Sequence, residues 1–330
     1  MPASHIAPAR RERAPKDIAW RDLTELSGRQ VLVELTLPLP WFCLSLILYA
    51  SPLWPLGFVA SFVFFLCALR LNHEAIHGNL GVPRGGDHAV MHVLSGLMLG
   101  SNHADAFCHL QHHRDPMGPG DHEGHCAHMG AWQVLRYGPR FPVDLNLNAW
   151  RHGGAKWQRR IVWDWLMVAC VVVLFLGLGG VFVMHLLAMA IGQCLTAFFA
   201  VWITHQGTVD SGLAGRSQRG ILARLAYLMF YHREHHLFPK VPVSRLPKLA
   251  ARLDGQVPGY AASRQPVVPW FDRTGSGPLL NDAGSGRSTK ESRACAGTSL
   301  RLARGPGSGP GLRQPKQARN RCPCRLRPGL

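Results

Sequence analysis

Two long blocks of this chain are almost free of polar positions. Residues 35–69 carry no charged side chain, and 165–204 carry none beyond the ionisable His185. The wider apolar stretches, about 31–72 and 161–204, are each roughly twice the ~20 residues a helix needs to cross a bilayer. Ser51, Pro52 and Pro55 interrupt the first at its middle, and Gly177, Gly179 and Gly180 interrupt the second. Each block therefore predicts two antiparallel membrane helices. Residues 88–101 are moderately apolar but too short to span, which predicts an interfacial or re-entrant helix. Residues 243–253 (VSRLPKLAARL) are basic and amphipathic, as expected of a segment on a membrane surface. From about residue 275 the chain is rich in Gly, Pro, Ser and Arg with no apolar period, which predicts disorder. The expected organisation is a cytoplasmic segment 1–30, a membrane domain 31–274 and a basic tail 275–330.

Composition sharpens this picture. Apolar residues make up 47% of the 330 and charged residues 17%, and their blocking excludes a soluble cytoplasmic enzyme. The net charge of +17 is uneven: residues 275–330 hold eleven Lys/Arg against two acidic residues. Residues 70–160 hold nine Lys/Arg and the two hairpin tips hold none. Short positive loops stay in the cytoplasm, so the N-terminus, the 73–160 loop and everything after 205 are expected there. A cleaved signal peptide is not expected, because the first apolar stretch is too long and begins too late. No nucleic-acid-binding motif is present. Of nine cysteines, Cys43, Cys67, Cys170 and Cys194 fall inside the apolar blocks, and Cys322-x-Cys324 sits in the Pro/Arg tail. They form no disulfide framework.

The excess is in histidine, eighteen of them, and the spacing matters more than the number. Three clusters stand out: His73 and His77; His109, His112 and His113; His232, His235 and His236. Helical positions i, i+3 and i+4 share a face, so each cluster aims two or three imidazoles one way. The expected topology brings all three under one mouth of the helix bundle. Eight converging imidazoles suit iron, zinc or copper. They overfill one tetrahedral zinc, whereas two irons would use them economically.

The segments LNHEAIHGN (71–79), HLQHHRDP (109–116) and HREHHLFPKVP (232–242), with Asp121 and Glu123 after the second, resemble the integral-membrane fatty acid desaturase superfamily. The resemblance runs over about residues 31–260. It implies a non-haem di-iron centre that uses O2 as co-substrate and removes hydrogen from an unactivated C–H bond. The eight histidines above would be its ligands. The family places one more iron-binding histidine near the end of the last crossing, where Thr204-His205-Gln206 stands here. Val201 occupies the place where some animal acyl-CoA desaturases carry an asparagine, and the last ~55 residues have no counterpart in the family. Carotenoid ketolases and hydroxylases, alkane hydroxylases and terminal-alkene-forming fatty acid decarboxylases are similar to the same pattern.

Two other classes compete. His73-Glu74-x-x-His77 also reads as the zinc-protease pattern H-E-x-x-H, with Glu74 as base and Leu253-Asp254-Gly255 as the source of a third ligand. That reading leaves six clustered histidines unexplained and puts Asp254 in a basic surface segment. A metal carrier could use His122, His125 and His128, but a carrier needs ligands at mid-membrane depth, where only His185 stands. His88, His92, His103 and His152 are expected to be interfacial or loop residues, and Trp41, Trp54, Trp163 and Trp165 to form an interfacial belt.

The sequence thus predicts an all-α integral membrane protein, with four transmembrane helices in two hairpins and a cytoplasmic histidine-rich cap. Its metal ligands would be His73, His77, His109, His112, His113, His205, His232, His235 and His236. Glu74 and Glu234 are expected to orient ligand imidazoles by accepting their N–H groups. The substrate would be a long fatty acyl chain in an apolar tunnel. No flavin fingerprint, ferredoxin cysteine run or His-Pro-Gly-Gly haem signature is present, so electrons are expected from a separate ferredoxin, rubredoxin or cytochrome.

Overall fold

The computed structural model describes residues 12–208, 211–225 and 227–267. Residues 1–11 of the 1–30 segment and the whole of the tail expected from 275 onward lie outside the described residues. Thirteen α-helices carry the described chain: α1 Gly28–Thr36, α2 Leu39–Tyr49, α3 Trp54–His77, α4 Gly86–Met98, α5 Asn102–Arg114, α6 Ala131–Tyr137, α7 Phe141–His152, α8 Gly154–Leu178, α9 Gly180–Thr196, α10 Ile203–His205, α11 Ile221–Leu225, α12 His232–Leu237 and α13 Leu246–Gln256. Two parallel two-residue strands, Gln218–Arg219 and Gln265–Pro266, complete it.

Among the described residues four helical stretches are long and apolar enough to cross a membrane: Gly28–Tyr49, Trp54–His77, Gly154–Leu178 and Gly180–His205. The first is α1 and α2 in sequence. Ser27 caps it, accepting from the Gln30 N–H, and Pro38 separates its two parts. The breaks fall where the sequence puts them, at residues 50–53 and at Gly179. Glu34 and Arg70, the charges flanking the first uncharged block, meet each other at 2.7 Å and tie α1 to α3. Neither is then a lone charge beside hydrocarbon.

α3 is the central crossing, with 44% of its apolar window buried against 17% for Gly28–Tyr49. It packs on α2, α4 and α9. Phe64, Phe65, Met91, Leu94 and Met189 fill the space between them. At Gly192 a Cβ would stand 2.8 Å from the Phe65 ring, so only glycine lets α9 approach α3 this closely. α3 stops after His77 because Gly78 adopts φ +65°, and Asn79 N–H closes onto the Glu74 carbonyl at 2.9 Å.

A second core lies beyond the crossings. Leu246, Leu249 and Leu253 of α13 are fully buried against Tyr231 and Leu237, beside Ile18 and Leu23. This corrects the expectation for 243–253. Its apolar face is spent on the protein interior and holds α12 in place.

Candidate metal centre

Four local structures present the nine predicted ligand histidines. His73 and His77 end α3, one turn apart. His109, His112 and His113 lie on the last two turns of α5, and His232, His235 and His236 on α12. His205 ends α10, just after a π-helical turn at Ala197–Trp202. The wider turn shifts the helix register immediately before His205, an irregularity that is frequent at functional sites.

These elements bring all nine together in two groups: His73, His77, His109, His113 and His235, and His112, His205, His232 and His236. In the second, the Nε2 atoms form a closed ring. Its edges are 3.0 Å (His112–His205), 2.8 Å (His205–His232), 3.1 Å (His232–His236) and 3.2 Å (His236–His112). A neutral imidazole nitrogen either donates one hydrogen or accepts, so at most two of these four edges can be hydrogen bonds at once. The remaining edges are close nitrogen–nitrogen contacts with no hydrogen between them. In the first group the Nε2 atoms run His73–His235–His113–His109–His77 in steps of 3.0, 2.9, 3.1 and 3.0 Å. A cation at the centre of each group resolves the conflict, and an all-nitrogen donor set suits a first-row transition metal.

The outer nitrogens support this orientation. His112 Nδ1–H donates to Asp121 Oδ2 at 2.6 Å, and His109 Nδ1–H to Glu123 Oε1 at 2.9 Å. Asp121 also accepts the Met117 and Gly124 N–H groups, which fixes its carboxylate in the loop. By contrast the Nδ1 atoms of His73, His205, His232 and His235 are buried without a partner among the described residues. No hydrogen bond on that side fixes those rings among the described residues, while their Nε2 atoms converge on neighbouring imidazoles.

Glu74 and Glu234 were expected to orient imidazoles. Glu74 Oε1 stands 3.6 Å from His73 Nδ1, beyond hydrogen-bond reach, while its Oε2 accepts the Val243 N–H at 2.9 Å. Glu234 takes Ser217 Oγ–H at 2.6 Å and Arg219 at 2.5 Å, with no imidazole among its partners. The carboxylates that do touch ligand rings are Asp121 and Glu123. The sequence signal for them was their place eight and ten residues beyond His113, in the loop that follows the second cluster.

Burial first, then the neighbouring imidazoles, holds His113, His235 and His236 well below the usual histidine pKa, and His232 likewise. They are neutral at pH 7, as metal ligands must be. His112 alone is raised: burial opposes its charge, but the Asp121 hydrogen bond and the charges of Glu123 and Asp121 outweigh it.

A cavity of about 60 Å3, partly open to its surroundings, touches both groups, at His73 and His109 of one and His232 of the other. Apolar side chains such as Leu69, Ile76, Phe141 and Leu145 make much of its wall. Asp105 joins them, and burial pushes its carboxyl up to about 8, so this side chain is mostly protonated at neutral pH.

A third group was not expected. His88, His92 and His103, which the sequence placed in interfacial or loop settings, gather around Asp164. Asp164 is fully buried and accepts from His92 Nδ1 (2.6 Å), Ser101 Oγ (2.7 Å) and the His103 backbone N–H (2.9 Å). A guanidinium can only donate, so Arg160 fixes His88 Nε2 as an acceptor at 2.7 Å. His88 Nδ1–H then donates to His103 Nε2 at 3.1 Å, and His103 Nδ1–H to Asp164 at 3.0 Å. Each of the three imidazoles donates its one ring hydrogen, so the group is a continuous hydrogen-bond relay. It ties the start of α5 to α8. His185 lies outside all three groups, with Nε2 3.2 Å from the Leu97 carbonyl and its ring edge-on to Phe42.

Compared with known proteins, residues 50–267 match a family model described as fatty acid desaturase. No curated protein and no solved structure matches the chain.

Proposed function

Because the chain belongs to the fatty acid desaturase family, and is therefore a membrane oxidoreductase of the desaturase and hydroxylase type, we propose that it is an O2-dependent di-iron enzyme that desaturates a long fatty acyl chain. The observation that carries this reading is the pair of Nε2 clusters opening on one largely apolar cavity. His73, His77, His109, His113 and His235 would hold one iron, and His112, His205, His232 and His236 the other. The bound irons would supply O2 reduction and abstraction of hydrogen from carbon.

The chain's own residues do the rest. Asp121 and Glu123 hold His112 and His109 with Nε2 inward by accepting at Nδ1. Leu69, Ile76, Phe141 and Leu145 give the substrate a wall that offers no hydrogen bond, so methylene groups bind there and water is not favoured. Forming one double bond removes two hydrogens, while reduction of O2 to two waters needs two further electrons and two protons. A separate ferredoxin, rubredoxin or cytochrome would bring those electrons. The Arg/Lys-rich 70–160 loop supports placing the termini and the histidine cap on the cytoplasmic side.

The zinc-protease reading is disfavoured by one contact set. Asp254, its third ligand, is taken by Arg219 at 2.5 Å and by Arg264, while His73 and His77 share their group with three other histidines. Terminal-alkene formation or carotenoid oxidation would use the same metal site. Mass spectrometry of lipids from cells expressing the chain and fed free fatty acids tests the proposal. A new internal double bond supports it, and a terminal alkene or an oxidised carotenoid in its place replaces it.

A further inference from the structure

α7 has two unlike faces. Phe141 and Leu145 on one are buried and wall the cavity. On the other, Val143, Leu147 and Trp150 form an i, i+4, i+7 stripe that is 43–53% exposed. Just before it, Trp132 of α6 is 75% exposed. Soluble proteins rarely leave contiguous apolar surface of this kind to water.

The stripe does not stand alone. Leu147 and Trp150 share a shallow groove with Val162, Trp165 and Leu166 of α8. Those α8 residues belong to a crossing and are themselves about half exposed. Trp165 Nε1–H donates to Asn146 at 3.2 Å, tying the two helices at this seam. The apolar face of α7 thus continues the lipid-facing side of the third crossing without a break. Exposed Arg140 and Arg151 bound it at either end, where a helix lying in the interface keeps its cations in the headgroup layer.

We propose that α6 and α7 lie in the bilayer interface, with lipid acyl chains covering Trp132 and the Val143–Leu147–Trp150 stripe. Resting on the function proposed above, the substrate is then an acyl chain already dissolved in that leaflet. α7 carries both this stripe and, through Phe141 and Leu145, part of the cavity wall, so entry runs along the membrane.

Hydrophobic photolabelling tests this on the wild-type chain. The protein is placed in phosphatidylethanolamine and phosphatidylglycerol vesicles containing a phospholipid with a diazirine in its acyl chain, irradiated, and mapped by peptide mass spectrometry. Residues 131–150 should carry adducts at a level comparable with Gly154–Leu178, and α13, whose apolar face is buried, should carry few. Leu147→Glu, outside the cavity wall, should lower the adducts on 141–152 severalfold and leave those on Gly154–Leu178 unchanged. Labelling of 131–150 no higher than that of α13 would overturn the proposal. So would its absence together with a cross-linked dimer joined through this face. Strong labelling in a protein that makes no alkene would uphold the lipid contact and remove the desaturase reading instead.

Discussion

His112 is held from both sides. Its Nδ1 lies 2.6 Å from Asp121 Oδ2, while its Nε2 faces His205 at 3.0 Å and His236 at 3.2 Å. The carboxylate fixes the tautomer and the angle of a ring whose other nitrogen completes a four-histidine set.

Asp121→Asn should therefore weaken metal retention by about 10–100-fold, the usual cost of losing such a support. Glu234→Gln makes the contrast, because its carboxylate meets Arg219 and Ser217 and no imidazole. That variant should melt at lower temperature yet hold as much metal per folded chain. Metal titration of both purified variants measures this, and equal metal loss in the two would contradict it.

The pH dependence follows from the buried, neutral rings. His113, His232, His235 and His236 are held well below the ordinary value by burial first and then by neighbouring imidazoles. An unfolded or opened chain takes up protons at these rings as pH falls through about 6.5, while the folded site does not. Stability and metal retention are thus full above that pH and decline below it. Iron remaining after dialysis at neutral and at acidic pH reads this directly. Retention that stays flat down to about pH 5 would contradict it.

His205 and His185 lie in the same crossing pair and separate ligand from packing residue. His205→Ala opens the ring of four and should empty that group, with the protein still inserted in the membrane. His185→Ala loses a contact to the Leu97 carbonyl and the packing on Phe42 and Phe64. It should cost about 1–3 kcal/mol of stability and no metal. Metal content and thermal melts of the two proteins distinguish them.

Asp164 anchors the helix that serves both groups, since α5 supplies His109 and His113 to one and His112 to the other. Asp164→Ala leaves donors on Ser101, His92 and His103 unpaired in a buried place, at about 1–3 kcal/mol each. Melting temperature and both metals should fall together in this variant. A drop confined to one metal would show that α5 is held elsewhere.

The spacing of polar positions made the crossings legible, because a helix must bury or lipid-cover its apolar length whatever its neighbours do. The eight clustered histidines were legible for a similar reason, since i, i+3 and i+4 are local geometry, whereas His205 came from the family resemblance alone. Partners far apart in sequence were not. Asp164 meets His103 across 61 positions, and no local pattern marks it. Glu234 was misjudged because adjacency to His235 says nothing about where the carboxylate points, which Arg219 decides. Residues 243–253 carry an amphipathic pattern that fits a membrane surface or a protein core equally, and Tyr231 and Leu237 settle it.

The most direct test is the metal content of the purified full chain, measured by elemental analysis against protein concentration. Two groups that together use nine imidazoles call for about two irons per chain and no stoichiometric zinc. One zinc per chain with negligible iron would contradict the account and return His73-Glu74-x-x-His77 to the protease reading.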